Sequence, residues 1–209
     1  MSRSKPTTDL KPYFQTLEDL EGPFNWSDFF GNDNPVVLDV GTGRGLFLFN
    51  SSGANPDKNY LGLEIDYREG RRAATRLFKA DRPNARVLGG DARMAFDNFI
   101  PKSSISEVHV YFPDPWWKKR HHKRRIFTDV FVRQVTTVLK QGGELHFWTD
   151  VEEYFERVKN LMDHASQFAH RDAPEEKLPE HEMDYQTSFE RKKRNEGWKI
   201  HRGLWELQS

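Results

Sequence analysis

The spacing of apolar positions along the chain switches repeatedly between two periods. Short apolar runs at 35–40, 60–65, 85–88, 108–112 and 144–149 read as buried strands. Between them lie helical patterns. The run at 46–49 opens a helix after a glycine turn, and 67–80 is a basic amphipathic helix with Ala73, Ala74, Leu77 and Phe78 on its apolar side. At 125–140, Phe127, Phe131, Val135, Val138 and Leu139 keep the 3.6 period until Gly142-Gly143 stops it. Residues 151–168 form another helix, carrying Phe155, Val158, Leu161, Met162 and Ala165. An acidic, proline-containing loop follows, and 198–207 is strand-like. Residues 1–34 are irregular and hold Phe14, Phe24, Trp26, Phe29 and Phe30, which predicts an N-terminal arm and short helix packed on a domain of 35–209. Strands spaced by helices predict an α/β fold: a doubly wound, mostly parallel sheet with any antiparallel strand at its end.

Composition narrows the chemistry. The 209 residues suit one α/β domain with a modest extension. With no cysteine, a disulfide framework, a thiol nucleophile, Cys-ligated zinc and an iron–sulfur cluster are all excluded. Charged residues make up 31%, above the roughly 25% of an ordinary chain. The 16 Phe and 6 Trp still promise a sound core. The start carries Arg3, Lys5 and Lys11 without an apolar run, and no stretch is apolar for long enough to cross a bilayer. The expectation is a cytoplasmic protein with no membrane partner.

Thirty-two basic and 32 acidic residues give a net charge of zero, which argues against a uniformly basic nucleic-acid binder. The zero is a cancellation. Residues 101–125 hold seven basic and two acidic residues (+5), and 190–202 hold six and two (+4), while 150–184 hold four and eleven (−7).

In an open α/β sheet the ligand lies beyond the carboxyl ends of the strands. The first strand run ends in Asp39-Val-Gly41-Thr-Gly43-Arg-Gly45, where alternate glycines let the backbone turn and approach a ligand closely. A dinucleotide fingerprint would be G-x-G-x-x-G, and Leu46 stands at its third glycine. The loop instead resembles motif I of class I S-adenosylmethionine methyltransferases. That cofactor carries a sulfonium and an ammonium, so carboxylates suit it where they would repel a pyrophosphate. Glu64 at the second strand end is placed for the ribose hydroxyls, and Asp91 at the third for the adenine amine.

The fourth strand runs into Pro113-Asp114-Pro115-Trp116-Trp117 and then eight residues, 118–125, of which six are Lys or Arg and two are His. Two prolines around one Asp hold its carboxylate in a stiff turn. Charge runs are usually solvated helix faces. Beside a rigid turn at a ligand crevice, this one reads as a phosphate-binding surface, and Trp116 and Trp117 offer faces for a base. His121 and His122 lack further ligands at metal spacing and join that surface. No metal is expected, and His109, inside a strand, reads as packing.

Together with Thr149-Asp150 and Thr187-Ser-Phe-Glu190, these motifs are similar to those of the bacterial tRNA (guanine-N7-)-methyltransferase family, from about Trp26 to the C-terminus. The resemblance implies a Rossmann-like class I fold, S-adenosylmethionine as cofactor, tRNA as partner, no obligatory protein partner, and methylation of a variable-loop guanine (m7G46). It implies cofactor contacts at Asp39, Gly41, Gly43, Gly45, Glu64, Asp91 and Asp114, with Asp114 also at the centre of catalysis. Substrate contacts fall on Lys118, Asp150, Thr187, Ser188, Phe189 and Glu190, and the tRNA backbone falls to Lys119, Arg120, Lys123, Arg124 and Arg125. Asp39 departs from the Glu usual in the family and is one methylene shorter.

Guanine N7 has a free lone pair, so the expected role of Asp114 is to position the base and stabilise its developing charge. Asp150 could accept from N1–H and the 2-amino group, which adenine does not offer in that pattern. Thr187-x-x-Glu190 is also an ordinary helix-capping pattern. Two alternatives compete: methylation of an exocyclic amine, suggested by Asp-Pro-Trp, and a non-catalytic RNA-binding module, which the intact acids and glycines oppose.

Overall fold

A computed structural model describes residues 9–116, 120, 125–173, 185 and 187–208. Eight strands form one sheet: β1 (Phe14–Thr16), β2 (Val36–Val40), β3 (Asn59–Glu64), β4 (Ala85–Gly89), β5 (Ile105–Tyr111), β6 (Leu139–Thr149), β7 (Phe168–Arg171) and β8 (His201–Leu207), in the order β1-β4-β3-β2-β5-β6-β8-β7. The first six strands in that order run parallel. β8 is antiparallel to β6 and to β7. The expected doubly wound sheet with an antiparallel end is therefore present. Strand order reverses between β2 and β5, so their carboxyl ends open the crevice in which such sheets bind ligands.

Among the described residues, seven α-helices connect the strands: α1 (Trp26–Phe30), α2 (Leu46–Ala54), α3 (Tyr67–Lys79), α4 (Ala92–Asn98), α5 (Asp129–Val138), α6 (Glu152–Asp163) and α7 (Ser188–Asn195). Helices on both faces leave β2 and β3 buried at every position, as the continuous apolar runs required. One face packs Leu38, Val108, Phe131, Phe147 and Trp205, and the other packs Val37, Leu48, Tyr60, Ala73 and Leu77. Each fully buried Val, Leu or Phe among them is worth roughly 1.5–3 kcal/mol relative to exposure. Among the described residues, no helix is long and apolar enough to cross a membrane.

Four local expectations change. The helix expected at 125–140 starts at Asp129, because the Thr128 side chain accepts from the Phe131 amide as its cap. It ends at Val138, where β6 begins, and Gly142-Gly143 lie inside that strand rather than stopping a helix. Pairing jumps from Ile105↔Leu139 to Glu107↔Glu144, and Gly142 takes φ +73° in the intervening bulge. The helix expected to reach 168 stops at Asp163, and Phe168–Arg171 forms the edge strand β7. The N-terminal arm contributes β1, paired with β4, as well as the aromatic cluster of Phe24, Trp26, Phe29 and Phe30.

Candidate active site

The glycine loop leaves β2 with Gly41, Gly43 and Gly45 at φ +80°, +54° and +67°, which L side chains rarely adopt. A Cβ on Gly45 would lie 2.7 Å from Ala73 Cβ, so this glycine lets α2 close on α3. On Gly41 or Gly43 it would meet nothing within 4 Å, because both border open space. The Leu63 carbonyl accepts from the Gly41 amide (2.8 Å), and the Glu64 carboxylate accepts from the Gly43 amide (2.7 Å) and the Asp66 amide (2.9 Å). The loop is thereby tied to the end of β3.

Asp39 lies beneath the loop at 3% exposure. Burial pushes its carboxyl up to about 7, while the Thr42 hydroxyl opposes the shift and the charge of Glu64 adds to it. Such a group ionises when a cation arrives. A cavity of about 630 Å³ opens above, lined by Asp39, Gly41, Gly43, Tyr111, Phe112 and Phe189 among others. At the ends of β3 and β4 a second cavity, of about 360 Å³, sets Ile65, Tyr67 and Met94 around Asp91. Asp91 caps α4 through the Arg93 amide and pairs with the Arg93 guanidinium at 2.9 Å, which holds its carboxyl below the usual range. Buried or held acids at three successive strand ends, an open glycine cradle and an apolar slot fit a ligand that is cationic at one end and has a flat ring at the other.

At the end of β5, Phe112 and Trp116 take φ +50° and +43°, two left-handed non-glycine positions flanking Pro113-Asp114-Pro115. The Phe112 amide donates to the Trp148 carbonyl, and the exposed Asp114 carboxylate accepts from the Trp116 amide at 3.0 Å. Arg125 departs from expectation. Instead of facing outward toward a phosphate it is 6% exposed; its Nε donates to the Pro115 carbonyl (2.6 Å) and its guanidinium lies 5.3 Å from the centre of the Tyr154 ring. Its role here is to hold the turn. Arg120 is exposed, whereas Lys118, Lys119, Lys123 and Arg124 lie outside the described residues, as do Trp117, His121 and His122.

Asp150, at the end of β6, pairs with Lys193 at 3.0 Å. Thr187 caps α7 by accepting from the Glu190 amide (2.9 Å), so the capping alternative is realised there. Ser188 opens α7. Glu190 is buried and takes Arg194 at 2.8 Å, while Phe189 is half-exposed with its ring 5.3 Å from Phe112. Asn50 on α2 donates to the Tyr185 carbonyl, which anchors the segment beside the glycine loop. The structure thus brings Asp39, Asp114, Asp150 and α7 to one rim of the sheet. Asp91 stands at the other end of the crevice.

Sequence reasoning missed a buried polar row. His109 Nε2 lies 2.9 Å from Glu107, and its Nδ1 lies 2.6 Å from the Tyr111 hydroxyl. Burial, then the neighbouring His146, lowers the His109 pKa to about 4, so at neutral pH it donates to Glu107 and accepts from Tyr111. Glu107, His109 and His146 bring potential metal-ligand atoms within 4.8 Å of one another, a clustering that linear spacing did not disclose. The two imidazoles stack at 4.3 Å and 9°, which keeps their in-plane lone pairs from converging on one ion. The row instead fixes Tyr111 under the Pro-Asp-Pro turn. The pairing of Lys193 with Asp150 against the Trp198 ring was missed as well, because nothing in the basic block of 190–202 sets one lysine apart from its neighbours.

The chain is similar to known proteins in sequence and in fold. A family model described as "Putative methyltransferase" matches residues 33–203. The chain is 39% identical to a tRNA (guanine-N(7)-)-methyltransferase of Rhodopirellula baltica, covering all of this chain and 79% of that protein. It is 38% identical to one of Alcanivorax borkumensis, covering 91% and 78%. In fold it is similar to the 16S rRNA methyltransferase KamB (TM-score 0.64, 18% identity, 88% and 93% covered) and to a SAM-dependent methyltransferase from Aquifex aeolicus (TM-score 0.58, 14% identity, 86% of each).

Proposed function

This chain belongs to the bacterial tRNA (guanine-N7-)-methyltransferase family, and from that premise we propose that it methylates N7 of a variable-loop guanine, position 46, in tRNA. S-adenosylmethionine supplies the methyl group as an electrophile on a sulfonium. The observation that carries the reading is the placing of Asp39, Glu64 and Asp91 at three successive strand ends around an open glycine cradle, with Asp114 fixed at the fourth.

In this reading Asp39 meets the cationic end of the cofactor and Glu64, with acceptor capacity left after its two amide bonds, meets the ribose. Asp91 and the Ile65–Met94 slot take the adenine. The guanine needs no deprotonation, so catalysis consists of alignment and of acids that follow the positive charge from sulfur to the base. Asp114 serves the second purpose. Its turn is locked by the Trp116 amide, by Arg125 and by two prolines, so its carboxylate is in place before the base arrives.

Radiolabelled methyl transfer to bulk tRNA, with identification of the modified nucleoside, tests the reading. The expected product is 7-methylguanosine, and an N2-methylated product would replace it with the exocyclic-amine reaction. Asp114→Ala should lower kcat by about 10²–10³-fold while leaving tRNA affinity within a few fold. Wild-type turnover in that variant would remove Asp114 from the mechanism.

A further inference from the structure

A cavity of about 660 Å³ adjoins the Pro-Asp-Pro turn and shares Phe189 with the cavity above the glycine loop. Pro115, Asp150, Phe189 and Trp198 line it. Phe189 and Trp198 are 44% and 53% exposed, large apolar residues that the core does not cover. One cation lies against both: Lys193 Nζ is 4.5 Å from the centre of the Trp198 ring, 5.4 Å from that of Phe189 and 3.0 Å from Asp150 Oδ2. Two ring faces and a carboxylate around an ammonium make a site selective for cations.

We propose that Trp198 joins Phe189 and Asp150, the substrate contacts the family resemblance already implies, as a second wall of the slot for the target guanine, and that Lys193 is a resident plug competing with the base for that slot. The proposal rests on the reading of the chain as a guanine-N7 methyltransferase. Pro115 lines the slot, so a base held there sits beside Asp114. Asp150 offers acceptors to N1–H and the 2-amino group once the ammonium leaves, and a tRNA phosphate is a ready alternative partner for Lys193. Methylation converts a neutral purine into a cationic one. The rings and carboxylate therefore bind the base more strongly as charge develops, which favours the transition state over the substrate. They would also retain the product, and the tethered ammonium, competing for the same faces, promotes its release.

The test uses the full-length protein with 7-methylguanosine 5′-monophosphate and guanosine 5′-monophosphate as calorimetric probes, alongside steady-state methylation of tRNA. The methylated probe should bind the wild type about fivefold more tightly than the unmethylated one. Trp198→Ala should weaken both probes and raise KM for tRNA by about tenfold, and Trp198→Phe should restore most of the loss. Lys193→Met should tighten both probes and slow product release. Unchanged S-adenosylmethionine affinity shows that each variant is folded. If Trp198→Ala keeps wild-type probe affinity and KM, or if Lys193→Met weakens the probes, the slot is refuted. An absence of methyl transfer by the wild type would refute the enzyme reading alone, because the probe titrations still report on the slot.

Discussion

Asp39 shows what one residue's surroundings can do. Its folded-state pKa, about 7, is raised above the unfolded value near 4. Its contribution to stability is therefore fully present below about pH 4 and is lost as pH rises through about 7. A cation arriving over the glycine loop stabilises the ionised form and drives the proton off. S-adenosylmethionine binding near pH 7 should accordingly release a fraction of a proton, seen as a dependence of calorimetric enthalpy on the buffer's ionisation enthalpy. Asp39→Asn should abolish that release and weaken binding. Enthalpies that do not vary with buffer would mean that Asp39 does not meet the cationic end.

Among the elements, the turn between β5 and α5 has to present an exposed carboxylate without letting it wander. Two left-handed residues, two prolines and the Arg125–Pro115 bond make it stiff. Arg125→Met keeps most of the buried volume but removes that bond and the contact with Tyr154. It should cost about 2 kcal/mol of stability in denaturant unfolding. It should also lower kcat while leaving the salt dependence of tRNA binding unchanged. A salt slope reduced by about one, with stability intact, would return Arg125 to the RNA surface. The inward orientation of Arg125 is not resolved by composition alone.

For the whole molecule the relevant quantity is the position of charge. Lys193 and Lys199 of the +4 block at 190–202 line the cavity beside Asp150, the +5 block at 101–125 contains Asp114 in sequence, and the −7 of 150–184 lies between the two blocks in sequence. Local attraction with acidic stretches elsewhere disfavours indiscriminate RNA binding. Replacing Lys123 and Arg124 by Gln should weaken tRNA binding and flatten its log–log salt slope by about two. An unaltered slope would make the run a bystander.

The alternation of strands and helices, the glycine loop, the acids at strand ends and the Pro-Asp-Pro turn were all legible in the sequence, because each is written in contiguous residues with a fixed period or backbone demand. The short edge strands β1 and β7 were not, since three or four residues hold no period and exist only where a neighbouring strand offers hydrogen bonds. Nor was the inward turn of Arg125, the Glu107–His109–Tyr111 row or the Asp150–Lys193 pair under Trp198. Those depend on which side chains a folded sheet sets face to face. A linear sequence specifies its local conformations, but the burial that shifts Asp39 and the enclosure that makes two rings a slot arise only when distant segments exclude water together.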